Sequence, residues 1–153
     1  MKRTLLLLSL LITMIAAVAL LGCANAAVEK SISDFKSAVN NDSVSQIKNA
    51  LSPASSFYIT GEFETFLGYF DGNRPVAYSG YTINLSGESA DARVSATYAS
   101  IPVTDGAWFW FKRENTFLSF LFPSYKVYRY YDGYNGFTDP DAIWKKVKSQ
   151  RAQ

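Results

Sequence analysis

Apolar positions along the chain fall into three regimes. From Leu5 to Leu21 they are continuous apart from Ser9 and Thr13, behind the basic pair Lys2 and Arg3. From Ile32 to Phe70 they recur with a helical period. Ile32, Phe35 and Val39 lie at i, i+3, i+7, and the pair Asn40 and Asn41 breaks that pattern. Ser43 with Gln46 then reads as a capping box opening a second, short helix through Val44, Ile47 and Leu51, which Pro53 stops. Phe57, Tyr58 and Ile59 read as a brief extended stretch. Phe63, Phe66, Leu67 and Phe70, at i, i+3, i+4, i+7, predict a third helix with an aromatic face, ended by Asp71, Gly72, Asn73 and Pro75.

From Val76 onward the period is two. The run 76–85, rich in β-branched residues and tyrosine, is followed by a turn centred on Gly87 and by Ala92, Val94, Ala96 and Tyr98 alternating with polar residues, which predicts a long hairpin. At Ser79 and Gly80 the inward set shifts from Val76 and Tyr78 to Tyr81, Ile83 and Leu85, so a bulge is expected there. Further strands are predicted over 107–113 and 125–131, with the apolar run 117–122 between them either a strand or an excursion. Asp139 as N-cap and Pro140 at the first helical position open a terminal helix through Ile143, Trp144 and Val147. The fold class expected is α+β, short N-terminal helices packed on one strongly bent antiparallel sheet, with a closed β-barrel or sandwich as the alternative. No internal repeat or low-complexity segment is present.

The first regime carries the clearest functional signal. A basic start followed by an apolar run is a secretory leader. At about 17 residues the run is at the lower edge of what crosses a bilayer as a helix. The residues Leu20, Leu21, Gly22 and Cys23 resemble the lipobox of bacterial lipoproteins, with an aliphatic residue three places before the cysteine and a small residue directly before it. The resemblance implies lipidation of the Cys23 thiol, cleavage after Gly22, and a protein tethered to the membrane through acylated Cys23. Cys23 is the only cysteine, so in an exported chain it has no disulfide partner. Ala24, rather than an aspartate, next to the cysteine implies sorting to the outer membrane or cell surface of a bacterium. The expected organisation is therefore a signal peptide over 1–22, a lipid-anchored tether over 23–30, one α+β domain over 31–137, and a C-terminal helix and tail over 138–153.

The order of short helices and then an antiparallel sheet resembles the cone-shaped fold of the nuclear transport factor 2-like (cystatin-like) superfamily. The carriers are Phe35-Lys36-Ser37-Ala38-Val39-Asn40-Asn41-Asp42, the segment from Ser52 to Tyr58, the hairpin from Ser86 to Val94, and Trp110-Phe111-Lys112-Arg113-Glu114-Asn115. The 117–122 segment departs from the pattern, which has a short turn there. The resemblance implies that enzymatic members, such as ketosteroid isomerases and polyketide cyclases, would use carboxylates and tyrosines inside the cone, without a metal. Residues of that type here are Glu62, Glu64 and Asp71, with Tyr58, Tyr69, Tyr98 and Tyr131. None matches a family catalytic motif, and Glu62 and Glu64 read better as solvated, so no catalytic residue is assigned.

Composition narrows the chemistry further. Of 153 residues none is histidine, which removes Ser-His-Asp and Cys-His nucleophiles, histidine metal sites and the usual proton shuttle. The formal charge of +2 resides in Lys2 and Arg3, so the remainder is near neutral, and without clustered cations nucleic acid is not expected as a partner. The tail cluster Lys145, Lys146, Lys148 and Arg151 reads as a solvated helix face or a contact with anionic headgroups. The acidic residues are too scattered for a calcium loop and the glycines follow no phosphate-cradling spacing, so no metal and no cofactor are expected.

Aromatic content is high: 11 Phe, 10 Tyr and 3 Trp. Core packing absorbs part of it, and the rest suits a pocket or an interface. A pocket for an apolar or ring-shaped ligand would be lined by Tyr58, Phe66, Tyr98, Phe109 and Tyr131. In the strand 107–113 both faces are apolar, and the superfamily pattern sets Phe109 and Phe111 inward and Trp108 and Trp110 outward. The same parity on the last strand puts Val127 inward and Tyr128 and Tyr130 outward. The four outward aromatics form an expected patch for a homodimer, an envelope protein partner or a membrane, unless the C-terminal helix covers them. The function expected is a non-enzymatic, lipid-anchored binding or scaffolding domain of the cell envelope. The alternatives are a hydrophobic small-ligand-binding protein or an isomerase-like or cyclase-like enzyme.

Overall fold

The computed structural model describes residues 22–114 and 123–132. The terminal helix and the 117–122 segment lie outside the described residues, as does the leader up to residue 21. Helix α1 runs over 22–40, and Val28, Ile32, Phe35, Ala38 and Val39 form a single buried stripe along it. It starts earlier than the sequence pattern suggested: residues 24–30, expected as a tether, are its first turns, because Val28 continues the apolar stripe one turn back from Ile32. At its other end the Asn40 side chain pairs with the Val76 backbone, donating to the carbonyl at 3.0 Å and accepting from the N–H at 2.7 Å. The first strand is thereby joined to the helix.

Helix α2 (Val44–Ala50) opens on Ser43, whose hydroxyl accepts from the Gln46 N–H. Only that half of the capping box forms. Gln46 Oε1 accepts from Asn41 instead, while the Ser43 N–H donates to Ala38. Helix α3 (Ser56–Thr60) replaces the expected extended stretch. Ser55 caps it by accepting from the Tyr58 N–H at 3.2 Å, and Gly61 closes it in the left-handed conformation. Caps at both ends outweigh the strand preference of Phe57, Tyr58 and Ile59 in a helix too short to show periodicity. Helix α4 (Phe63–Gly68) buries Phe63, Phe66 and Leu67, and the turn beyond it buries Phe70.

Arg74 ties the ends of these helices together. Its guanidinium donates to the carbonyls of Val39 at 2.6 Å and Leu67 at 2.9 Å, and to the carboxylates of Asp42 at 2.6 Å and Asp71 at 2.9 Å. Each of these carbonyls also accepts a backbone N–H, Val39 from Asp42 and Leu67 from Phe70, so the planar cation takes the second acceptor position of two carbonyls at once.

The helices pack on one open antiparallel sheet, which excludes the barrel or sandwich alternative. Its strands are β1 (Val76–Ser86), β2 (Ser89–Tyr98), β3 (Ile101–Pro102), β4 (Ala107–Arg113) and β5 (Tyr125–Asp132), ordered β1-β2-β4-β5 with β3 on β2. The register of β1 shifts between Ser79 and Thr82, at the expected bulge. Beyond it Ile83 and Leu85 pack on the core, but Tyr81 lies within the bulge and is 39% exposed, not inward as expected. Gly106 turns the chain into β4 at φ +68°. A Cβ there would sit 2.2 Å from the Val94 carbonyl oxygen, so glycine is required.

The inner face of β2 is built from Ala90, Ala92, Val94, Ala96 and Tyr98. These small side chains leave depth that rings fill. Phe35 stands at the centre, its ring 5.8 Å from Phe66, 5.3 Å from Phe109 and 5.0 Å from Tyr130. Mostly edge-to-face packing lets so many rings share one core. Phe35, Ile47, Phe66, Phe70, Val94 and Tyr98 all lie in this shared core, as the sequence pattern predicts.

Candidate functional site

The two faces of the sheet carry different chemistry. On β4 the alternation is regular, with Phe109 and Phe111 buried and Trp108 and Trp110 half-buried on the outer face. On β5 it is not. Trp110 pairs with Arg129 and Phe111 with Val127, so Tyr128 is an extra residue without its own partner. This bulge turns Tyr128 and Arg129 both outward and reverses the parity of everything after them. Tyr130, expected on the outer face, is therefore buried at 1% exposure, and Tyr131, expected in the pocket, is half-buried on the outer face opposite Trp108.

The reversal also brings Asp132 inside, fully buried. Its Oδ2 accepts from the Tyr98 hydroxyl at 2.5 Å and its Oδ1 from the Tyr69 hydroxyl at 3.0 Å. The Tyr98 hydroxyl also bonds that of Tyr130, which bonds that of Tyr78 at 2.9 Å. Three buried phenols thus lead to one buried carboxylate, and Tyr69, half-buried, reaches it from the helical side. Desolvation by burial pushes Tyr78, Tyr98 and Tyr130 well above the ordinary tyrosine value, and the neighbouring Asp132 adds to the rise in each. All three stay neutral donors through the physiological range.

Of the expected pocket residues, Phe66, Tyr98 and Phe109 share the core, Tyr58 packs against it from the edge, and Tyr131 lies on the outer face. Tyr58 is half-buried at the edge, its ring against Phe63 and 5.9 Å from Lys48 Nζ. The space between Phe66, Tyr98 and Phe109 is occupied by Phe35, Phe70 and Tyr130. The acidic residues considered from sequence lie elsewhere: Glu64 and Asp71 are exposed, and Glu62 stands half-buried at the N-cap position of α4 without a side-chain capping bond. Asp132 was missed because both parities of the Tyr128 to Asp132 segment look equally plausible, and only the extra residue separates them.

The outer face forms an aromatic and basic surface. The rings of Trp108 and Trp110 stack at 6.3 Å and 19°. The Arg93 guanidinium lies 5.1 Å over Trp108, and Lys112 and Arg129 lie 4.7 and 5.3 Å over Tyr128. Lys126 pairs with Glu114 at 3.1 Å, and Ser124 donates to the same carboxylate. Burial works upward on the Glu114 carboxyl, but these two hydrogen bonds and the Lys126 charge outweigh it and hold the group below its ordinary value. Beside Arg93 a shallow groove of about 460 Å³ runs past Thr82, Ser95, Thr97 and Asp105.

Cys23 is exposed, near the start of the described part of α1. Among the described residues no helix is long and apolar enough to cross a membrane, and no group of three or more His, Cys, Asp or Glu is placed to hold a metal ion. Compared with known protein families, curated proteins and solved structures, the chain matches none.

Proposed function

We propose that the chain is a lipid-anchored cell-envelope protein of a bacterium, exported through residues 1–22 and held at the outer membrane or cell surface by acyl chains on Cys23. Its domain, a nuclear transport factor 2-like cone, binds or scaffolds without catalysis through the outer face of the sheet. The observation that carries this reading is the contrast between the two faces. The interior is filled with aromatic rings, whereas Trp108, Trp110 and Tyr128 remain half-exposed among cations on the opposite side. A partly exposed aromatic group with charged neighbours is the composition of a recognition surface. The anchor is tested by metabolic palmitate labelling and membrane fractionation. Wild-type protein should be labelled and sediment with membranes, while Cys23→Ala should lose the label and be released or remain uncleaved. Label retained by Cys23→Ala would refute the anchor.

A second reading, a proton-transferring enzyme, is favoured by Asp132 among tyrosines, since a buried carboxylate with phenolic donors suits proton abstraction next to a carbonyl. It ranks second because Phe35 and Phe70 occupy the space beside Tyr130 and Tyr98, where a substrate would have to sit. Asp132→Asn distinguishes the two. The binding reading expects loss of stability with membrane attachment unchanged, whereas the enzyme reading expects loss of turnover in a protein that still melts normally.

A further inference from the structure

The anchor and the aromatic face meet at one edge of the sheet. Helix α1 crosses the start of β5, where the Ser31 hydroxyl donates to the Tyr125 carbonyl. Val28 is already fully buried, five residues after Cys23, so the thiol lies within about 8 Å of the packed domain along the helix axis. An acyl chain on Cys23 would hold the domain against the bilayer with little slack. The strand beneath that helix is the one whose bulge turns both Tyr128 and Arg129 outward. Charge on this face is unequal: Arg93, Lys112, Lys126 and Arg129 stand against Asp91, Glu114 and Asp105, the last in the groove beside Arg93, with Asp91 accepting from Asn84 and Glu114 paired with Lys126. Tryptophan and tyrosine settle at the headgroup level of a bilayer, and lysine and arginine reach its phosphates.

We infer that the outer face of β4 and β5 docks on an anionic phospholipid surface, with Trp108, Trp110 and Tyr128 at headgroup depth and Lys112 and Arg129 against the phosphates. The inference rests on the envelope reading above and names its partner. The cation-over-ring pairs at Tyr128 keep the charges and the aromatic surface on one plane, so both reach a flat partner together. The excess of cations selects an anionic membrane over a neutral one.

The test uses the mature chain, residues 23–153, carrying Cys23→Ser so that no acyl chain contributes, and Trp144→Phe so that emission reports Trp108 and Trp110. It should sediment with vesicles of phosphatidylglycerol and phosphatidylcholine but not with phosphatidylcholine alone. Its emission should shift to the blue, and the binding should weaken as salt rises. Lys112→Gln with Arg129→Gln, both at exposed positions, should weaken binding about 25-fold, taking roughly 5-fold per cation lost. Trp108→Ser with Trp110→Ser should abolish it. If that pair unfolds the protein, the charge pair still decides. Equal binding to neutral vesicles, no binding, a stable dimer that shields the tryptophans, or retention on insoluble peptidoglycan without vesicle binding would each overturn the inference. Palmitate labelling of wild-type protein without vesicle binding would overturn the docking face alone, and vesicle binding without labelling would overturn the anchor alone.

Discussion

The Tyr98 hydroxyl donates to Asp132 across an intervening strand. Tyr98 ends β2 and Asp132 ends β5, while β4 lies between them and begins at Ala107, the register partner of Asp132. On β2 the register partner of Ala107 is Val94, four residues before Tyr98, so it is the length of the tyrosine side chain that brings its hydroxyl to Asp132. Hydrogen bonds of this kind matter more to stability when one partner is deleted than their net value suggests, since the remaining group is left buried and unsatisfied. Tyr98→Phe should therefore cost about 1–3 kcal/mol in urea unfolding. Tyr81→Phe, at an exposed phenol outside the cluster, should cost less than half of that. Equal costs would mean that the buried cluster contributes nothing of its own.

The same cluster sets an alkaline limit. Tyr78, Tyr98 and Tyr130 are held above the ordinary value in the folded chain, first by burial. Below about pH 10 these phenols are protonated in both folded and unfolded chains, and their contribution to stability is constant. Above it the unfolded chain releases protons that the folded chain retains, so stability falls with rising pH, by up to about 1.4 kcal/mol per pH unit for each tyrosine. Tyr130→Phe should make the decline between pH 10 and 12 shallower by about one proton. An unchanged slope would place Tyr130 outside the buried set.

Arg74 should be among the least replaceable polar residues. Four acceptors from α1, α4 and the turns after them converge on it, two of them backbone carbonyls. Arg74→Ala should cost about 2–3 kcal/mol, in the range for hydrogen bonds to a charged group. Arg74→Lys should recover under half of that, because a single ammonium cannot span carbonyls that a planar guanidinium reaches together. Full rescue by lysine would show that charge alone is what the site needs.

Much of this architecture is legible in the sequence where pattern and local chemistry agree. The hydrophobic period locates α1, α4 and four strands, and Gly80 marks its bulge. Legibility fails where local signals conflict or cancel. At 56–60 the strand preference of the side chains hid a helix that Ser55 and Gly61 define. At 24–30 small and polar residues hid about two turns of helix, because only Val28 shows the buried stripe. At 128–132 tyrosines stand at both parities, so one extra residue exchanges Tyr130 with Tyr131 and carries Asp132 into the core without any sign in the hydrophobic pattern.

Phe66 tests how closely the ring core is packed. Its ring contacts Phe35, Phe57 and Phe70 at centroid distances of 5.8, 4.7 and 5.6 Å, and it is 2% exposed. Phe66→Ala should lower stability by about 3–5 kcal/mol, combining lost transfer energy with the cavity left behind. A cost below 1 kcal/mol would mean that neighbouring rings collapse into the space.

The bulge on β5 makes an indel prediction that distinguishes it from ordinary strand pairing. With Val127 inward and Tyr130 inward, two outward residues stand where regular alternation needs one. Removing Tyr128 leaves Val127, Arg129, Tyr130, Tyr131 and Asp132 alternating in, out, in, out, in, which is the observed placement of each. The deletion should lose only the contacts of Lys112 and Arg129 with the Tyr128 ring, about 0.5–1 kcal/mol each, and keep the alkaline signature of the buried phenols. Deleting Tyr131 does the opposite. It moves Asp132 to an outward position, takes the carboxylate from Tyr98 and Tyr69, and should cost more than about 4 kcal/mol, as loss of a buried polar network does. Urea unfolding and tyrosine titration of the two deletions check this. If removing Tyr128 proves as damaging as removing Tyr131, the extra residue is not at Tyr128, and the parity that carries Asp132 into the core is wrong.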